Sequence, residues 1–207
     1  MPVMDTYLDS KLFLPLILGT NRKDRKSVFV ANWLHGEMEK RPEIETQLFD
    51  VMDFALPQDD YGTGIKDAFP EWRDAINRAD GLVIVTPEYN HGYPGALKSV
   101  LDLLLKEYVH KAVALVGISG GTFGGTRVVE SLVPMVRELG LAVTFADLNF
   151  PKVHEKFDQN GVLLDSAYGK RVKDFLDELV WMSRVLKWGR ENLPSKHHPL
   201  QDAEVAS

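Results

Sequence analysis

Three short polar segments, each following an apolar run, hold the residue types in this 207-residue chain that could do chemistry. Residues 19–27 read Gly-Thr-Asn-Arg-Lys-Asp-Arg-Lys-Ser and precede a helical pattern. At a helix start the backbone N–H groups point outward and the dipole is positive. With hydroxyls, an amide and four basic side chains added, the loop suits a phosphate monoester. The same residues also read as a solvated basic loop with Ser27 as an ordinary N-cap. Neither G-x-x-x-x-G-K-[ST] nor G-x-G-x-x-G occurs here, so no P-loop and no dinucleotide pyrophosphate grip is expected. Residues 87–98 read Pro-Glu-Tyr-Asn-His-Gly-Tyr-Pro-Gly-Ala-Leu-Lys. Two tyrosines, an amide and a glycine ahead of a Pro-led helix suit the lining of a flat aromatic ligand. Tyr89 and Tyr93 read as ligand contacts against the alternative of plain packing. Glu88 reads as positioning the turn, and His91 as a possible proton donor that the chemistry does not require. Residues 119–126 contain four glycines in eight positions. Glycine lets backbone approach a ligand closely, and successive N–H groups in such turns attract negative charge. The alternative is a turn that needs glycine for conformation only.

The pattern P-E-Y-N-x-G-x-P-G-x-L-K in residues 87–98 resembles the signature of the NADPH-dependent FMN reductase family. That family includes quinone, azo-dye and chromate reductases on a flavodoxin-like fold. Residues 19–27 resemble its G-[ST]-x-R-x-x-x-x-S phosphate loop, and residues 119–125 its glycine loop. The resemblance runs from about Leu14 to about Leu179. It implies bound FMN, NADPH or NADH as electron donor, a small-molecule acceptor such as flavin or quinone, and ping-pong hydride transfer. By the same resemblance Thr20, Arg22 and Ser27 hold the FMN phosphate, with Arg25 beside them and Lys23 and Lys26 flanking. Pro87, Glu88, Tyr89, Asn90 and Gly92 border the ring and ribityl chain, and Ser119, Gly120, Gly121 and Thr122 face the pyrimidine side. The chemistry is centred on flavin, so no catalytic side chain is singled out. Two other classes remain open: a flavodoxin-type electron carrier, and a non-catalytic flavin-binding regulatory protein. Carriers resemble a different, Ser/Thr-rich phosphate loop and are more acidic, which the Arg22 loop argues against.

The elements that must position these loops follow from periodicity. Strands are expected over residues 12–18, 45–51, 82–86, 112–118 and 141–146, with Pro15 a warning inside the first. Helices are expected over residues 27–40, 65–78, 94–108, 126–139 and 165–193. Alternating strands and helices imply an α/β domain with a parallel sheet covered on both faces, and five strands suit the doubly wound, flavodoxin-like order 2-1-3-4-5. Residues 1–193 form one domain, followed by a polar, mobile tail over 194–207 whose His197-His198 pair reads as composition rather than a metal site. The helix over 94–108 is apolar around nearly its whole circumference, which implies burial by a second subunit. Trp181, Val185 and Trp188 form a second apolar stripe on the last helix. A homodimer or dimer of dimers is therefore expected.

Bulk composition excludes several classes. The net charge of −6 argues against nucleic-acid or anionic-membrane partners. The chain has no cysteine, so disulfides, thiol redox chemistry and Cys metal sites are absent and any redox role must use a bound cofactor. No apolar run reaches the length of a membrane span, and residues 1–9 lack a signal-peptide pattern, so a cytoplasmic location is expected. No G-x-S-x-G elbow accompanies Ser119 or His154, so a hydrolase is not indicated.

Overall fold

The computed structural model of the chain describes residues 10–57, 62 and 64–198. Its strands are β1 (Leu12–Phe13), β2 (Leu16–Leu18), β3 (Ile44–Glu45), β4 (Leu48–Asp50), β5 (Gly81–Pro87), β6 (Ala112–Ile118), β7 (Ala142–Val143) and β8 (Leu148–Phe150). They pair in parallel, in the order β4-β2-β5-β6-β7, with β8 also on β6 and β1 on β3. The strand expected over 12–18 divides at Pro15, which has no N–H to donate. Register survives the break: Leu12 faces Ile44 and Leu16 faces Leu48, at one offset. Thus β1 and β2 continue one line, and β3 and β4 its neighbour. The strand expected over 141–146 instead ends at Val143. The chain returns to β6 at Leu148 with its offset widened from 30 to 32 residues, and Phe145 in the intervening bulge is 95% exposed. Counting each interrupted line once, the sheet has the expected 2-1-3-4-5 arrangement.

Helices α1 (Ser27–Glu39) and α5 (Tyr168–Asn192) cover one face, and α2 (Pro70–Arg78), α3 (Gly95–Leu101) and α4 (Thr126–Glu138) the other. The alternation of β5 and β6 decides which side chain goes where. Val83, Val85, Ala114 and Val116 join Val30, Leu34, Phe175 and Leu179 in one core layer. Leu82, Ile84, Val113 and Leu115 join Trp72, Leu97, Val100 and Leu132 in the other. Each such valine, leucine or isoleucine contributes roughly 1.5–3 kcal/mol on burial. All seven residues of β5 and all seven of β6 are buried, as central parallel strands require.

The helix expected over 94–108 is corrected by the structure. It stops at Leu101, and a turn leads into a 3₁₀ turn at Lys106–Tyr108. Leu103, Leu104 and Tyr108 fold back into the chain's own core and are at most 1% exposed. Most of the apolar circumference is therefore covered within one chain, Leu105 alone of its leucines staying 55% exposed, so the element gives much less reason for a second subunit than a helix over 94–108 would. The remaining helices match their expected positions, except that residues 66–68 ahead of α2 form a 3₁₀ turn. Of the expected tail, residues 199–207 lie outside the described residues, and so do residues 1–9 of the expected domain.

Candidate active site

The three loops begin where β2, β5 and β6 end, and hydrogen bonds from their first residues tie each to the next strand. Gly19 N–H donates to Val85 O at 2.8 Å, Glu88 N–H to Ile118 O at 2.8 Å, and Ser119 N–H to Phe150 O at 3.1 Å. This ladder sets the loops side by side at the carboxyl edge, where open α/β sheets bind ligands. Between them lies a cleft of about 460 Å³ lined by residues 22–27, 87–89, 118–120, Val153 and His154.

On one wall, α1 opens with Lys26 at its N-cap position and no side-chain cap. The ordinary-cap reading of Ser27 is thereby corrected: Ser27 is the first helical residue. Its hydroxyl is buried and has no hydrogen-bond partner among the described residues. A buried orphan hydroxyl costs free energy unless a ligand satisfies it. Uncapped N–H groups, this hydroxyl and the cations of residues 22–26 together fit a phosphate monoester.

Thr20 and Arg25 brace the same loop from behind. Thr20 is fully buried; its hydroxyl accepts from Arg22 N–H at 3.3 Å and shares a 3.0 Å hydrogen bond with the Tyr89 hydroxyl. Arg25 donates to the Thr20 carbonyl and to the Asp50 carboxylate at the end of β4. Its guanidinium thus points back into the protein. Arg22, which is exposed, lies with its guanidinium 5.7 Å from the Tyr89 ring centre. Gly19 keeps this loop close to α3, since a Cβ there would stand 2.8 Å from Leu97 Cδ2.

The opposite wall is a tight hairpin. Tyr89 and Gly92 exchange backbone hydrogen bonds of 2.9 and 3.0 Å. Between them Asn90 and His91 have φ of 51° and 67°, which makes a type I′ turn. Four of the five described non-glycine residues with positive φ (Asp24, Asn90, His91 and Lys152) lie in these carboxyl-edge loops, the fifth being His110. Strained backbone of this kind gathers at ligand sites. Glu88 brings a largely enclosed carboxylate to the cleft: its side chain is 10% exposed, one oxygen is 3.9 Å from Arg127, and the other is buried with no partner among the described residues.

The glycine loop is laced to the chain after β8. Lys152 N–H donates to Gly121 O at 2.9 Å and Val153 N–H to Ser119 O at 3.1 Å. That lacing brings His154 into the cleft, a position that sequence reading did not assign to it. Ser119 Oγ donates to Gly121 O at 3.0 Å, and His154 Nε2 lies 3.5 Å from Glu155. Of the sequence candidates, Arg22, Arg25, Ser27, Pro87, Glu88, Tyr89, Ser119 and Gly120 line the cleft. Thr20 lies beneath it. Asn90, Gly92, Gly121 and Thr122 are not among the lining residues, and His91 sits exposed at the hairpin tip.

Comparisons with known proteins follow the same line. Residues 14–155 match the model of the NADPH-dependent FMN reductase family, ending short of the expected Leu179. The chain is 30% identical over 200 residues to the NAD(P)H-dependent FMN reductase ntnL of Nectria sp, covering 86% of this chain and 98% of that one. It is 28% identical over 173 residues to an FMN-dependent NADPH-azoreductase of Staphylococcus haemolyticus, covering 80% and 92%. Its fold is similar to that of FerB, a flavoenzyme NAD(P)H:(acceptor) oxidoreductase from Paracoccus denitrificans, with a TM-score of 0.70 at 23% identity over 84% of this chain and 98% of that one.

Proposed function

Because the chain belongs to the NADPH-dependent FMN reductase family, we propose that the carboxyl-edge cleft holds FMN and that NAD(P)H and a small acceptor react there in turn. The family's activity is that of an FMN-dependent NAD(P)H oxidoreductase. The observation that carries the site assignment is the meeting, in one cleft, of an uncapped helix start with a buried orphan hydroxyl and of an aromatic turn.

Ser27, Arg22 and the first N–H groups of α1 bind the phosphate. Thr20, beneath the cleft, and Arg25, on its lining, hold the loop in shape, Arg25 through Asp50. The Thr20–Tyr89 hydrogen bond fixes the phosphate loop against the ring-binding turn, so one end of the cofactor orients the other. Pro87, Glu88 and Tyr89 border the ring and ribityl chain, with Asn90 and Gly92 shaping the hairpin. Backbone N–H groups of residues 119–122 face the pyrimidine edge. FMN held by these residues would supply the redox chemistry between nicotinamide and acceptor. Donor and acceptor share one aromatic wall, which supports a ping-pong order and flat acceptors such as quinones, azo compounds or free flavin. The stripe of Trp181, Val185 and Trp188, 60%, 46% and 41% exposed, supports a homodimer or larger homo-oligomer. A cytoplasmic location fits a chain in which no described helix is long and apolar enough to cross a membrane.

The deciding experiment is the visible spectrum of the purified protein and its bleaching by NADPH without oxygen. Cofactor released by heat should chromatograph as FMN, and double-reciprocal plots at several quinone concentrations should be parallel. Stoichiometric FAD, or failure to bind added FMN, defeats the cofactor assignment; intersecting lines defeat the ping-pong order.

A further inference from the structure

At the amino edge of the sheet, on the side opposite to the carboxyl-edge loops, lies a second cleft, of about 640 Å³. Four cations line it from separate elements: Lys106 in the 3₁₀ turn before β6, Lys111 just ahead of β6, Arg190 on α5, and Lys196 in the turn after α5. His197 and His198 complete that wall, and the His110 ring lies 5.9 and 5.3 Å from theirs. The carboxylates facing it are Glu107 and Glu191, and Glu107 is already committed to Lys66 at 3.0 Å and to Leu105 N–H at 3.0 Å.

The positive charge here is not balanced by the protein around it. Asp80, buried behind the cleft, is shared by Lys187 at 3.1 Å and Arg190 at 3.2 Å and also accepts from Phe13 N–H. Lys111, 7% exposed, points its ammonium at the carbonyls of Ile76 and Asn77, the negative end of α2. Burial, and then the neighbouring Arg190 charge, push Lys111 down to about 8. Arg190 is likewise held below its ordinary range by burial. Buried Lys111 and half-buried Arg190, whose guanidinium also donates to His110 O at 2.7 Å, stand behind Lys106 and Lys196, which are exposed at the mouth and concentrate positive charge there on a chain of net charge −6. The His198 Nε2, buried and without a hydrogen-bond partner among the described residues, adds an unsatisfied polar atom on the same wall.

We propose that this cleft is a second oxyanion site, independent of the cofactor cleft, that takes a compact phosphoryl-type polyanion between Arg190, Lys106, Lys196 and the histidine pair. The probe is inorganic pyrophosphate, titrated calorimetrically into the full chain in excess FMN, so that any phosphate seat at the carboxyl edge is already filled. One equivalent should bind saturably, and a chloride titration at matched ionic strength should give no such isotherm. The double variant Lys106→Ala, Lys196→Ala changes only exposed side chains and should weaken binding at least tenfold. Arg22→Ala, in the other cleft, should leave pyrophosphate binding unchanged. Absence of saturable binding at millimolar pyrophosphate overturns the site. So does binding that Arg22→Ala abolishes, or that survives loss of both lysines undiminished. None of these readouts depends on turnover, so they stand or fall apart from the reductase assignment.

Discussion

At the scale of single residues, the two arginines of the phosphate loop have different work. Arg22 is exposed and free to turn to a ligand, so Arg22→Ala should raise the Kd for FMN about tenfold to a hundredfold, the worth of one charged hydrogen bond. The fold should be untouched, and flavin fluorescence titration reads the change. Arg25 is engaged with Asp50 and the Thr20 carbonyl, and on the proposed reading it acts on the phosphate through the loop. Arg25→Ala and Asp50→Asn should then weaken FMN to similar extents, and the double variant should be no worse than either, a coupling within the usual 0.5–3 kcal/mol. Additive losses would mean that Arg25 touches the phosphate directly. Sequence alone could not separate the two arginines, because the difference lies in Asp50, 25 residues further along the chain.

Among the elements, the strand-to-helix turn after β6 separates glycines that matter for folding from those that matter for access. A Cβ on Gly125 would stand 2.3 Å from Ile118 N, and its φ is 83°. Gly125→Ala should cost roughly 1–3 kcal/mol or more, seen as a lower urea midpoint. At Gly120 a Cβ meets nothing within 4 Å, although the residue lines the cleft. Gly120→Ala should therefore keep the urea midpoint and change FMN affinity instead. Equal loss of stability in both variants would refute this division. Four glycines within eight residues mark the loop in the sequence, but which of them face a ligand depends on the lacing to residues 150–153.

For the whole molecule, pH and assembly are the accessible readouts. Lys111 has a folded pKa of about 8 against an ordinary 10.5. Between those values the unfolded chain binds more protons, so this group makes stability rise with pH across that window, by at most about 3 kcal/mol. Burial holds Tyr108 well above its ordinary 10.0, and that works in the opposite sense only at higher pH. Urea unfolding at pH 7.5 and 9.5 should show the rise in the native protein and not in Lys111→Met; an equal pH response in both would dismiss it. The exposed Trp181 and Trp188 stripe predicts a species of at least twice the 23.3 kDa chain mass in light scattering, shifted toward monomer by Trp181→Glu with Trp188→Glu. A monodisperse 23.3 kDa flavin-bound active species would rule out the oligomer.

Much of this protein follows from local pattern. Apolar runs of strand length alternating with 3.6-residue periodicity specify a parallel α/β sheet, because both faces must be covered. The motif residues at strand ends locate the cleft, because register carries those ends to one edge. The rest depended on contacts between distant segments. Periodicity extended α3 through residue 108, since a core-facing turn and a helix can carry the same apolar residues; only the packing of Leu103 and Leu104 against the sheet distinguishes them. The strand over 141–146 concealed a bulge, because alternation does not reveal which residues lose their ladder partners. Thr20 meeting Tyr89, Arg25 meeting Asp50, and His154 entering the cleft each join segments far apart in sequence. Such pairings are products of sheet order and loop lacing, and those interactions exist only once the chain has folded.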